Sequence, residues 1–262
     1  MTNTLSVYAS VVTTDSAPIT KTLYGYTYSF YARAANDGDK SWGYSDISSA
    51  SSIPAGYMGA ISQLWKHTSS GDILKASGSE IYNSANSKGV VSCTSIYTGS
   101  GYYYSQGIVY IYDGTRYVPY TNNPTAYLYA SSSASSSGLN NLNSNGFSSS
   151  IYNLKSLYDF SISSNQIKPY QKNKYGESYG YAGHNADLIG KQPDLIAAYS
   201  TDDKFGYVRA KDLESAKPKT PEEAITITLQ NLKGKIINVY DKDGRTVIGT
   251  FEIKPGPYTL YK

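Results

Sequence analysis

The chain has 262 residues, 40% of them apolar and 16% charged, with a net charge of +3. That length holds two ordinary domains or one large all-β domain, and no apolar run approaches the roughly eighteen residues of a membrane-spanning helix. Residues 1–130 balance 7 Lys/Arg against 7 Asp/Glu, so no basic stripe marks a nucleic-acid surface, and the single Cys93 excludes an intrachain disulfide framework.

Met1 to Val7 has neither the basic start nor the apolar core of a signal peptide, and reads as a mature exported sequence behind an added Met1. Leu5–Val12 alternates as a first strand, and Ser16-Ala17-Pro18 turns the chain. Ile19–Ala34 predicts one strand in which Tyr24, Tyr26, Tyr28 and Phe30 share a face at period two. After the polar turn Asn36–Ser41, a serine-rich stretch ends at Pro54, whose missing amide suits an edge or loop. Tyr57–His67 reads as a strand, Thr68–Asp72 as a hairpin turn and Ile73–Tyr82 as the return. Val90–Tyr97 and Gly101–Tyr112 read as further strands. Asp113-Gly114 suits a type I′ turn into Arg116–Tyr120. Six or seven short strands without a helix predict an antiparallel β-sandwich over residues 1–130, with a barrel as the other closure.

Residues 131–150 change to a Ser/Asn/Gly-rich run that predicts a flexible link or a long loop. The remainder, 151–262, reads as a smaller α+β module, beginning with a short helix around Ile151–Phe160. Tyr175–Tyr181, Asp194–Tyr199 and Phe205–Arg209 are strand-like. Thr220, Pro221 and Glu223 form a capping-box start, and predict a helix against the strand-like alternation of Ile225 to Leu229. Lys235–Tyr240 and Thr246–Ile253 close a last hairpin around Asp241–Gly244.

Gln192–Ala198, Gly206–Leu213, Pro221–Ala224 and Tyr240–Gly249 resemble segments of exported proteins of Firmicutes. Gly56–Ala60 through Tyr103–Gly107 is similar to β-rich pieces of uncharacterised secreted Gram-positive proteins. Gly206-Tyr207-Val208 resembles the last strand of bacterial SH3-like wall-binding domains. The resemblance implies export and a place at the cell surface or outside it; it transfers no catalytic residue.

Tyrosine is the unusual quantity, with 29 Tyr against 5 Phe and 2 Trp. Its ring packs on a sheet while its hydroxyl reaches water or a carbonyl. Trp42, Tyr44, Tyr57, Trp65, Tyr102, Tyr103, Tyr104, Tyr117 and Tyr120 are the candidate ligand-binding set, since outward rings stack on sugar faces. Ordinary sheet filling is the competing account of the same rings.

Catalytic signals are sparse. His67 and His184 could each pair with a serine or with Cys93, but no Gly-x-Ser-x-Gly elbow is present. His184, Asp187 and Asp194 are better explained as loop residues than as zinc ligands. Asp37–Asp39 and Asp241–Gly244 read as turns rather than calcium loops. Asp46, Asp72, Glu80 and Asp113 are the acidic residues nearest strand ends, where a glycosidase pair would stand. The sequence therefore favours binding over catalysis, with no cofactor and no metal. The expected partner is a glycan, wall polymer or surface protein at a Gram-positive envelope. A secreted toxin or antimicrobial protein making peripheral membrane contact, and a carbohydrate hydrolase, are the alternatives.

Overall fold

The computed structural model describes residues 11–131, 169–214, 217–256 and 259–261. The predicted link after Ser131, the helix predicted at 151–160 and nearly all of the predicted strand Leu5–Val12 lie outside them. The first strands are β1 (Val12–Asp15), β2 (Ile19–Leu23), β3 (Tyr26–Asp37), β4 (Lys40–Ile53), β5 (Met58–Ile61), β6 (Gln63–Thr68) and β7 (Gly71–Ser77). Then come β8 (Ile81–Tyr82), β9 (Ser87–Cys93), β10 (Tyr97–Thr98), β11 (Gly101–Ser105), β12 (Ile108–Tyr112), β13 (Tyr117–Thr121) and β14 (Leu128–Ala130). After residue 168 follow β15 (Gln171–Lys172), β16 (Ser178–Gly180), α1 (His184–Ile189), β17 (Leu195–Tyr199), β18 (Phe205–Arg209) and α2 (Ala210–Leu213). The chain ends with α3 (Pro221–Asn231), β19 (Lys235–Tyr240), β20 (Val247–Ile253) and β21 (Thr259–Tyr261).

The protein is mainly β. A seven-stranded sheet, β1-β3-β4-β9-β21 with β2 on β3 and β10 on β4, faces a four-stranded sheet, β13-β12-β5-β8. Tyr28, Phe30, Ile47 and Val90 of the first pack against Met58, Ala60, Ile81, Val109 and Ile111 of the second. This is the predicted sandwich, and period-two alternation builds it: Tyr28, Phe30, Ala32 and Ala34 all point inward from β3.

Tyr24 leaves that row. Leu23 pairs with Tyr26, and Tyr24 (φ 49°) with Gly25 (φ 80°) forms a two-residue turn of type I′ character. The predicted single strand Ile19–Ala34 is therefore a hairpin. Four other predicted strands also divide: Ile73–Tyr82 yields β7 and β8 in different sheets, and Val90–Tyr97 yields β9 and β10 in one. Tyr57–His67 breaks at Ser62, and Gly101–Tyr112 breaks at Gln106-Gly107. At these last two breaks the chain crosses between the four-stranded sheet and a ten-stranded one, which is how a corner forms between packed sheets. Asp113-Gly114 also differs from expectation. Only Gly114 takes positive φ, and Asp113 Oδ1 instead accepts from the amides of Thr115 and Arg116. These bonds and the Thr115 hydroxyl hold the Asp113 carboxyl down at about 2.

The ten-stranded sheet runs β14-β11-β6-β7-β20-β19-β18-β17-β16-β15, and β17 also bridges back to β7. Strands β7, β20, β19, β18 and β17 thus form a closed ring. Leu74, Ile196, Ala198, Val208, Ile237, Val239, Phe251 and Ile253 belong to its core. All five of its strands were legible in the sequence, and β7 comes from the first half of the chain. The sheet consequently runs across the boundary drawn between 1–130 and 151–262. Two further joints cross it: β21 pairs with β9, and α3 lies on β8, where Tyr82 N donates to Thr228 Oγ1 at 2.8 Å.

Helix α3 wins over the strand-like alternation because of its start. Thr220 Oγ1 accepts from Glu223 N, Pro221 occupies the first turn, and Glu223 Oε2 reaches back to Lys219 N. Ala224, Ile227 and Thr228 form its buried side.

Candidate binding cleft

A cleft of about 400 Å³ opens where the β6–β7 hairpin meets the segment 169–188. The hairpin supplies His67 through Asp72; β15 and β16 with their flanks supply Tyr170, Gln171, Tyr179 and Tyr181. Helix α1 adds His184, Asn185 and Leu188, while Tyr127 and Tyr207 close the sides. Aromatic walls around a few polar groups are the usual make-up of a small-ligand site.

Hairpin register creates the polar centre. His67 stands directly opposite Asp72, and His67 Nδ1 lies 2.8 Å from Asp72 Oδ1. Asp72 Oδ2 accepts from the hydroxyl of Tyr104 at 2.8 Å, and that hydroxyl in turn accepts from His184 N at 3.1 Å. A continuous hydrogen-bonded path therefore links the two histidines. Asp72 and Tyr104 are buried, whereas the His67 ring is about one-third exposed to the cleft and stacks on Tyr127 with centroids 4.5 Å apart. An imidazole that donates through Nδ1 to a carboxylate keeps its lone pair on Nε2.

Two glycines make the approach possible. Gly71 (φ 141°) sits under the Tyr181 ring, which a Cβ would strike. Gly183 (φ 60°) caps α1, and a Cβ there would overlap the Tyr104 hydroxyl. Behind α1 lies a second, more polar pocket of about 330 Å³ lined by Gln63, Trp65, Gln106, Asp187 and Lys191. Gln106 Nε2 donates to Asp187 Oδ2 at 2.6 Å and fixes the helix against the corner between β11 and β12.

Burial acts on four phenols at the cleft. It drives Tyr104 and Tyr127 well up, with the Asp72 charge adding to the effect. It raises Tyr170 and Tyr207 to about 12. All four remain protonated hydrogen-bond donors at neutral pH.

The nine aromatic candidates from the sequence do not gather here. Trp65, Tyr103 and Tyr104 are buried; Trp42, Tyr44, Tyr57, Tyr117 and Tyr120 are half-buried; Tyr102 is exposed beside Tyr129. Trp42 Nε1 donates to Tyr44 at 2.6 Å, Tyr120 packs on Phe30, and Tyr57 and Tyr117 both contact Tyr112. Tyr104 alone of the nine belongs to the hydrogen-bonded centre of the cleft. Cys93 is buried, and burial pushes its thiol up to about 12. Of Asp46, Asp72, Glu80 and Asp113, only Asp72 lines the cleft.

Sequence reasoning missed the cleft tyrosines Tyr127, Tyr170, Tyr179, Tyr181 and Tyr207, and it missed α1. One signal was available: a two-residue turn at Ser69-Ser70 places His67 across from Asp72. No family model, curated protein or solved structure matches this chain.

Proposed function

We propose that this protein is an exported binding module of a Gram-positive envelope, and that the cleft beside His67 holds a glycan or the saccharide part of a wall polymer. The observation that carries this reading is the cleft's make-up. Five tyrosine rings, Tyr127, Tyr170, Tyr179, Tyr181 and Tyr207, stand around a space of about 400 Å³ with imidazole and amide groups among them. Such rings offer faces to the C–H side of a sugar, while His184, Asn185 and Gln171 can meet its hydroxyls. Export and envelope location rest on the resemblance of Gln192–Ala198 and Gly206–Leu213 to exported proteins and on the hydroxyl-rich, weakly charged composition. No described helix is long and apolar enough to cross a membrane.

Retention of the purified chain on isolated envelope fractions and on a panel of immobilised glycans tests the proposal. Retention that soluble fragments of the same glycan release is the expected result. A chain that passes through every fraction and every glycan without delay removes the reading.

A further inference from the structure

The arrangement behind His67 is more than a sugar-binding surface requires. Asp72 is buried and accepts hydrogen bonds from both His67 Nδ1 and the Tyr104 hydroxyl. Those bonds fix the imidazole's tautomer and its orientation, which is the role of the third member of a nucleophile–base–orienter set. A bound saccharide would thus meet a positioned base at Nε2. The Tyr127 ring lies on the same wall, stacked 4.5 Å from the His67 ring at 27°.

The reaction open to this set follows from what surrounds it. Hydrolysis of a glycosidic bond by the usual route takes two carboxyl groups facing the bond. Among the described residues Asp72 is the one carboxylate lining the cleft, and both its oxygens are engaged. An imidazole base, phenols that stay protonated, and neutral amides suit proton abstraction next to a carboxyl group instead. Gln171 Oε1 accepts from the Tyr179 hydroxyl at 2.5 Å, which leaves the amide NH₂ free to meet a ligand carboxylate.

We propose that the cleft cleaves 4-linked uronate polysaccharides by β-elimination, with His67 Nε2 as the base and the Tyr127 hydroxyl as the acid. This rests on the glycan reading of the same cleft. His67 removes the proton on C5, next to the uronate carboxylate. The C5–H electron pair becomes the C4=C5 double bond, and the C4–O4 bond breaks. O4 leaves with its electron pair and takes the proton of Tyr127. Proton return from the imidazolium to the phenolate resets both groups, so no water or cofactor is consumed. Base and acid on one wall act on one face of the sugar. That geometry fits glucuronate and mannuronate, whose C5–H and C4–O4 bonds lie on the same side. Galacturonate and guluronate, with the two bonds on opposite sides, do not fit.

The full chain is incubated with polymers of each of the four uronates, and binding to each is measured in parallel by affinity electrophoresis. Ultraviolet absorbance of the conjugated double bond, and product ends lighter by one water than hydrolytic ends, report elimination. The expected result is unsaturated product from glucuronate or mannuronate polymer. His67→Gln and Tyr127→Phe should each lower its rate about 100-fold or more while binding is kept, since general acid–base groups contribute roughly that much. Tyr127→Phe retains the stacked ring, so it stands as a test should His67→Gln fold poorly. Uronate polymer bound but uncut, or only neutral glycans bound, overturns the elimination and leaves the glycan reading standing. No glycan bound overturns both. Saturated ends, or cleavage confined to galacturonate and guluronate, overturns the roles given to His67 and Tyr127.

Discussion

At the sandwich corner, Tyr24, Tyr26, Tyr57, Tyr112 and Tyr117 lie ring against ring with centroids 5.3 to 6.4 Å apart. The Tyr112 and Tyr117 hydroxyls there end on the carbonyls of Gly114 and Gly56. In the cleft, Tyr127, Tyr170, Tyr179, Tyr181 and Tyr207 stand around an open space instead. One residue type thus fills volume in the first place and walls it off in the second. Rings touch rings in both places; what separates the cases is whether they also border a void. The count of 29 tyrosines in the sequence holds no trace of that difference.

Alkali gives the largest test of the filling role. Burial raises Tyr28, Tyr82, Tyr110 and Tyr117 above the ordinary phenol range. An unfolded phenol ionises near 10, so above about that pH the unfolded chain loses protons that the folded chain keeps. Their contribution is complete below about pH 10 and is lost as pH rises through the folded values, on the order of several kcal/mol by about pH 12. Once the exposed rings have ionised, the remaining phenolate absorbance and the loss of near-ultraviolet circular dichroism should therefore appear together. Complete phenolate formation in a chain that stays folded would show that the buried rings are open to solvent.

A pair of substitutions separates the two roles directly. Tyr82, buried against Tyr110 and Tyr117, donates to Glu80 at 2.5 Å, so Tyr82→Phe should cost about 1–3 kcal/mol in denaturant unfolding. Glycan retention should not change. Tyr179 makes an edge contact with Tyr207 across the cleft wall, 5.5 Å between centroids. Tyr179→Ala should lower retention about tenfold, the worth of one aromatic contact of about 1.4 kcal/mol. Equal effects of both variants on retention would dissolve the distinction.

Much of the architecture was written in period-two segments and in local chemistry. Tyr28 and Phe30 alternate inward as expected, and Thr220 with Glu223 correctly signalled a helix where Ile225 to Leu229 alternates like a strand. Strand breaks at Ser62 and Gln106-Gly107 escaped because both continue the alternation while the chain changes sheets. The Tyr24-Gly25 turn escaped for the same reason, its tyrosine sitting in step with Tyr26 and Tyr28. The cleft was less legible still. His67 and His184 meet through the buried Tyr104 hydroxyl, a contact made by the tertiary fold and by no spacing along the chain. Of the adjacent candidates Tyr102, Tyr103 and Tyr104, only Tyr102 is exposed, and Tyr104 is fully enclosed.

Lys75 adds a third use of the ring and a smaller effect. A register shift opposite Leu64 and Trp65 leaves Lys75 unpaired in β7, the kind of bulge that re-aims a side chain. Its ammonium, 2% exposed, lies 4.1 Å from the Tyr97 ring centroid and 3.9 Å from that of Tyr199, with Asp203 Oδ1 at 2.7 Å. Burial outweighs the carboxylate and lowers the amine to about 8. An unfolded lysine titrates near 10.4, so between about pH 8 and 10 the unfolded chain binds more protons, and stability rises with pH. The unfolding free energy from denaturant titration should climb by about 1–2 kcal/mol from pH 8 to roughly 9.5, before the phenols reverse the trend. Lys75→Met should abolish the climb. A climb that survives the substitution would assign it to another group.

Tyr24 offers the smallest effect and the sharpest reading of the corner. It holds φ 49°, a conformation that costs a bulky residue roughly 1 kcal/mol and that Asn adopts easily. Its ring is 55% exposed, yet it touches Tyr57 and Tyr112 and lies over Gly114. Tyr24→Asn relieves the backbone and removes those contacts, two terms of opposite sign and similar size. If the ring is filler, the contacts, at about 0.5–1.5 kcal/mol, should slightly exceed the strain and leave a net loss below about 1 kcal/mol. A gain in stability would mean that the fold bears the strain for something other than packing. The corner would then be a second exposed aromatic surface, and glycan retention by Tyr24→Asn would decide whether it shares the ligand of the cleft.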